Sequence, residues 1–229
     1  MTRARAAARA ALALVGCLGS APGLAQSLCS SDGQPAARVL RERFISADCE
    51  SCWSHTPARA ATRGELALDW IVPSQRGADA ALSAAATRDA GSRLEGLARA
   101  FGTEKLDLAS PVAGAAGRLR VAHGLAFNGY LGTSISFKPG PRAPDGLSAW
   151  VVLVETIAAG TEGTPIERNL VRNTLQLDWS RPARATGQRG WSEARPLSIP
   201  EGARAERLRL IGWVQDRRGR ILQLAQSRC

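Results

Sequence analysis

Short apolar runs separated by turn-forming residues fill the second half of this chain, and similar runs recur at wider intervals in the first half. Runs of this length, bounded by Gly, Pro, Asn and Asp, predict strands. They place strands at 39–45, 65–72, 118–127, 130–137, 149–156, 169–178, 194–199, 208–215 and 221–226. The run at 65–72 is apolar enough for a central strand. Asn128-Gly129 is the strongest hairpin signal in the sequence and joins the strands on either side of it. Asp216-Arg217-Arg218-Gly219 predicts a second tight hairpin between the last two strands. Between residues 77 and 101 the spacing of Leu82, Ala85, Ala86, Leu94, Leu97 and Phe101 is helical, with Gly91-Ser92 as a division. A further helix is expected over 54–63.

These elements suggest three parts. Residues 1–25 combine a basic start, a short apolar stretch and the small residues Gly23 and Ala25, the features of a secretory signal peptide. Residues 26–140 form an α/β domain entered by a polar tail, and residues 141–229 form an antiparallel β module. The Pro- and Gly-rich stretch 138–146 reads as the linker between them. The module holds Trp150, Trp179, Trp191 and Trp213, expected as core residues.

The formal charge is +10, of which Arg3, Arg5 and Arg9 of the signal account for three, leaving +7. The arginines are scattered among acids, and Lys105 and Lys138 are the only lysines. The absence of a long basic run argues against nucleic-acid binding. The apolar stretch near the start is too short to span a bilayer, and no later segment is long enough either. A periplasmic or secreted location is therefore expected, with a lipoprotein anchored at Cys17 of Leu14-Val15-Gly16-Cys17 as the alternative.

Without Cys17 the chain carries Cys29, Cys49, Cys52 and Cys229, an even count suited to an oxidising compartment. Pairing Cys29 with Cys229 is the arrangement that leaves the Cys49-Glu50-Ser51-Cys52 pair whole, and it ties the chain's two ends as a structural disulfide. A Cys-x-x-Cys after a strand and at the start of a helix can be a disulfide or half of a zinc site. No phosphate loop, nucleophile elbow or His-Glu-x-x-His is present, and no cofactor is expected.

Several motifs resemble one family. Pro57 follows Cys52 at the spacing of the thioredoxin active-site helix, and Asp48-Cys49-Glu50-Ser51-Cys52 is followed by Leu68-Asp69-Trp70. Leu125-Ala126-Phe127-Asn128-Gly129, Arg168-Asn169-Leu170-Val171-Arg172-Asn173 and Gly212-Trp213-Val214-Gln215 complete the set. Together they resemble a family of secreted bacterial thioredoxin-like proteins of unknown function. The resemblance implies a thioredoxin-like α/β domain and thiol–disulfide exchange with the thiols of envelope proteins. Cys49 would be the exposed attacking thiol, Cys52 the more buried resolving thiol, and Asp69 a proton acceptor for it. Trp53 stands where the family has proline after the second cysteine, and His123 where it has the cis-proline facing the cysteines. With His55, the only other histidine, His123 could complete a Cys49, Cys52, His55, His123 set for zinc or copper. The alternative to an oxidoreductase is thus a non-catalytic binding protein, for a protein partner or a metal, with a structural Cys49–Cys52 disulfide.

Overall fold

A computed structural model describes residues 28–55, 59–102, 104–114, 116–181 and 190–229. The expected signal peptide, Cys17 and Pro57 lie outside these residues. The described chain forms strands β1 (Cys29–Ser30), β2 (Val39–Ser46), β3 (Glu65–Val72), β4 (Lys105–Pro111), β5 (Gly117–Phe127), β6 (Tyr130–Pro139), β7 (Leu147–Ile157), β8 (Arg168–Trp179), β9 (Trp191–Ser198), β10 (Leu208–Gln215) and β11 (Ile221–Gln226). Two α-helices accompany them, α1 (Glu50–Ser54) and α2 (Arg88–Gly96).

The strands make a four-stranded sheet, ordered β1-β5-β6-β9, and a seven-stranded sheet, ordered β11-β10-β7-β8-β3-β2-β4. In the larger sheet β2 and β3 run parallel, as do β3 and β8, and the other neighbours are antiparallel. This corrects the expected fold class. The protein is a two-sheet, mainly β structure, not a thioredoxin-like α/β domain followed by a β module. Both sheets draw strands from before and after residue 140, so that boundary separates no two cores. The Pro- and Gly-rich stretch carries the chain from β6 of the small sheet to β7 of the large one.

The helical content is lower than the spacing suggested for physical reasons. In the segment 77–101, Gly77 has a positive φ and two 3-10 turns, Gly77–Asp79 and Ser83–Ala85, take up its start. Only after Thr87, whose side chain accepts the Asp89 N–H, does an α-helix begin, and it lasts nine residues. The helix expected over 54–63 ends at Ser54, with His55 already extended. Conversely, residues 105–111, where no strand was expected, form β4 and pair antiparallel with β2. The Asn128-Gly129 turn has both residues at positive φ, the geometry that matches hairpin twist.

Strand β7 is buried on both faces. Ala149, Val151 and Leu153 pack with Val121, Leu131, Ile135 and Phe137 of the small sheet. Trp150, Val152 and Val154 join Leu40, Phe44, Leu68, Trp70, Trp213 and helix α2 on the opposite face. Each fully buried Val, Leu, Ile or Phe among them contributes about 1.5–3 kcal/mol of hydrophobic stabilisation. The sheets approach closely at Gly212, where a Cβ would lie 2.6 Å from Val121 Cγ1. Helix α2 is held by Arg93, which donates twice to Glu42 (2.8 and 2.7 Å) and lies against the rings of Trp150 and Trp213. No helix among the described residues is long and apolar enough to cross a membrane.

Candidate functional site

The Cys-x-x-Cys lies where β2 leaves the sheet. Ile45 and Ala47 bury their side chains in a small apolar cluster with Ile71, Ala80, Ile157 and Leu170, which draws the chain inward. The Cys49 N–H donates to Ser46 O and the Cys52 N–H to Cys49 O, turning the chain into α1. Cys49 and Cys52 are joined by a disulfide. Their exposure is the reverse of the expectation: Cys49 is 8% exposed inside the apolar cluster, and Cys52 is the more accessible of the two. The reason is the turn, which directs Cys49 toward Trp53 and Ile71 before the helix begins. A carboxylate oxygen of Glu104 lies within 4.8 Å of both sulfurs. Glu104 is brought there by the segment leading into β4, through a bond from the Ser46 N–H to the Glu104 carbonyl.

A buried charge network supports α1 from below. Arg168, 1% exposed, lies against the Trp53 ring at 4.6 Å and donates through Nη2 to the carbonyls of Cys52 (3.2 Å) and Trp53 (2.9 Å). Its Nε donates to Thr164 Oγ1 and its Nη1 to Asp69 Oδ1 at 2.7 Å. The other Asp69 oxygen accepts from Arg43 Nη2 at 2.7 Å and from the Asn169 N–H. Arg43 continues to the Arg59 carbonyl. Burial pushes the Arg168 guanidinium below its ordinary value, and Asp69 acts against that shift. Charges taken this far from water are costly unless paired and hydrogen-bonded. Asp69 supplies the counter-charge for two arginines, while the Nε of Arg43 stays buried without a hydrogen-bond partner. It reaches the disulfide only through Arg168, at a backbone carbonyl and not at a sulfur, so its oxygens serve the network.

The proposed four-residue metal set is not assembled. His55 is exposed, with Nδ1 2.9 Å from Ser54 Oγ. His123 lies on β5 of the small sheet, where it pairs with Cys29 and not with the Cys-x-x-Cys. A ring nitrogen of His123 falls within 4.8 Å of the sulfurs of Cys29 and Cys229, which form the second disulfide. The segment facing Cys49 and Cys52 is the one bearing Glu104, so His123 does not occupy a cis-proline position opposite them. Burial lowers the His123 pKa from 6.5, with nearby Arg209 adding to the effect.

Beside the disulfide, Trp53, Ile71, Leu82, Ala85, Ile157 and Leu170 line a groove of 260 Å³. The Trp53 indole N–H is fixed on the Glu162 carbonyl at 2.8 Å, which sets the wall of the groove. Sequence reasoning missed Arg43, Arg168 and Glu104. For Arg43 a signal existed, since Arg41-Glu42-Arg43 interrupts an otherwise apolar strand and three adjacent charges there require partners on both faces.

No protein-family model matches the chain, and no curated protein matches it. Among solved structures, HBP35 of Porphyromonas gingivalis is similar in fold, with a TM-score of 0.51 and 9% sequence identity. The likeness covers 83% of this chain and 74% of that one. At that identity it is a likeness of architecture alone.

Proposed function

We propose that the protein is an exported, non-catalytic binding protein whose Cys49–Cys52 disulfide is a structural staple. Its groove beside Trp53 takes one large apolar side chain of a partner protein in the envelope or outside the cell. The observation carrying this reading is the enclosure of Cys49, 8% exposed among apolar side chains and with the Glu104 carboxylate beside both sulfurs. Burial and a neighbouring negative charge both disfavour a thiolate, the form that thiol exchange requires. Helix α1 has only five residues and offers little dipole to offset them. The groove's 260 Å³ suits a side chain the size of Phe or Trp, and a buried aromatic anchor is the usual energetic centre of a protein interface. The two disulfides suit an oxidising compartment.

Equilibration in graded dithiol buffers, followed by alkylation and mass mapping, tests the staple. Cys49–Cys52 should stay closed down to about −300 mV, the range of structural disulfides. Opening near −200 mV without loss of fold would sink the reading. The groove is tested by NMR titration with N-acetylphenylalanine amide. Shifts should centre on Trp53, Leu82 and Ala85 and vanish in Leu82→Glu; shifts spread over the surface, or unchanged in that variant, would refute it. The accessibility of Cys52 favours a second reading, thiol–disulfide exchange in which an incoming thiolate attacks the Cys52 sulfur. The same redox titration separates the two.

A further inference from the structure

The second disulfide sits in surroundings that a staple alone does not require. Cys29 lies on β1, in register with His123 of β5, and Cys29 and His123 are each 4% exposed. His123 Nδ1 is 2.8 Å from the carbonyl of Gly124, so Nδ1 carries the proton and donates it there. That tautomer leaves Nε2 as an acceptor with a free lone pair, and Nε2 is buried without a hydrogen-bond partner. An orphaned buried nitrogen is unfavourable and calls for a reason. Imidazole that donates from one nitrogen to a backbone carbonyl while offering the other is the arrangement of metal-ligating histidine.

The backbone would hold the two cysteines together even if the sulfur–sulfur bond opened. Ser30 and Arg228 exchange both their N–H to carbonyl bonds, at 3.0 and 2.9 Å. The Ser31 N–H donates to Val121 O, and the Val121 N–H to Ser31 Oγ, fixing β1 on β5. Cys229 is exposed and provides access from solvent.

We propose that Cys29, Cys229 and His123 form a redox-gated site for a thiophilic cation such as Zn²⁺, closed when the disulfide is formed and opened by a dithiol reductant. The dithiol gives two electrons and two protons to the Cys29–Cys229 bond and becomes a disulfide itself. The two thiols then lose their protons to solvent as the cation binds both thiolates and the lone pair of His123. A set of two thiolates and one imidazole suits zinc with one position left open for water. The site is separate from the Cys49–Cys52 corner, and its fate does not depend on how that corner functions.

The test uses the full chain carrying C17S, C49S and C52S, in which Cys29 and Cys229 are the only thiols. Oxidised and reduced samples are titrated with Zn²⁺ against a chromophoric chelator, and with Co²⁺ for the thiolate charge-transfer band, while tryptophan fluorescence reports the fold. The expected result is one Zn²⁺ per reduced chain, a Co²⁺ spectrum of tetrahedral thiolate type, and no binding to the oxidised chain. His123→Gln should weaken Zn²⁺ at least tenfold; if that variant does not fold, Cys229→Ser, at an exposed residue, makes the same comparison. Equal binding by oxidised and reduced protein, no binding by the folded reduced protein, or binding that neither substitution weakens would each overturn the proposal.

Discussion

The two disulfide corners of this protein solve different problems. At Cys49–Cys52 the covalent loop spans only three residues, and the order of the corner rests on charge, with Arg168 joining the helix carbonyls to Asp69 and Asp69 to Arg43. At Cys29–Cys229 the bond closes a separation of 200 residues, and it is framed by backbone pairings and the Val121 N–H to Ser31 Oγ bond, beside the unpartnered Nε2 of His123. A cross-link constrains the unfolded chain more as its loop grows, whereas a buried ion network acts wholly in the folded state. In the first corner the disulfide is secondary to the salt bridges; in the second it is a covalent tie between segments 200 residues apart, added to the backbone pairing of Ser30 with Arg228.

The ion network is the sharpest place to break that contrast. Asp69→Ala leaves two buried guanidinium groups without their carboxylate and should lower stability by about 3–5 kcal/mol, read from urea unfolding. A loss below about 1 kcal/mol would show that the network is dispensable. C29S/C229S should follow, at about 2–5 kcal/mol, mostly through a looser unfolded state. C49S/C52S should lie below both, at no more than about 2 kcal/mol on the same chain-entropy reasoning. If it instead exceeds C29S/C229S, the ranking of the corners inverts and the short disulfide carries strength not explained by loop length.

Acid gives the mildest separation. Glu65 accepts the Thr62 N–H and bonds Arg41, which holds its carboxyl at about 2 against an ordinary 4.5. Its contribution is complete above pH 4.5 and is lost as the pH falls through about 2, because the unfolded chain takes up the proton first. Unfolding free energy should therefore decline across that window, and Glu65→Gln should flatten the decline. A wild-type slope retained in the variant would assign the effect to other carboxylates.

Much of the strand order was legible because it is local. The runs at 65–72, 208–215 and 221–226 begin and end as β3, β10 and β11 do. Asn128-Gly129 announced its hairpin because only a few residue types accept two consecutive positive φ values. The fold class was not legible, because it depends on which strands meet. The pairing of β3 with β8 at Asp69 and Leu170, and of β6 with β9, joins segments whose distance in sequence leaves no local trace. The same applies to the site. A Cys-x-x-Cys is plain in the sequence, but the burial of Cys49 depends on Ile71 and Leu170, and its supporting cation comes from Arg168 of β8. Ala-rich spacing between 77 and 101 imitated two helices divided at Gly91-Ser92, whereas α2 runs through that pair and the residues before the extended Thr87 form only 3-10 turns.

The interleaving of early and late strands has a consequence for synthesis. Trp150, Val152 and Val154 of β7 are covered in part by Ile211, Trp213 and Leu224, and the opposite face of β7 by Leu208, Leu210 and Val214. No first half of the nascent chain can therefore close a core of its own; β2, β3 and β4 must wait beside an unfinished sheet until β10 and β11 have emerged. Contacts so far apart in sequence make a slow folder, with strand edges open to wrong neighbours in the interval. Shielding during that interval, by a holding factor or by passage through a pore, would decide the yield of native protein as much as the stability of the finished sheets.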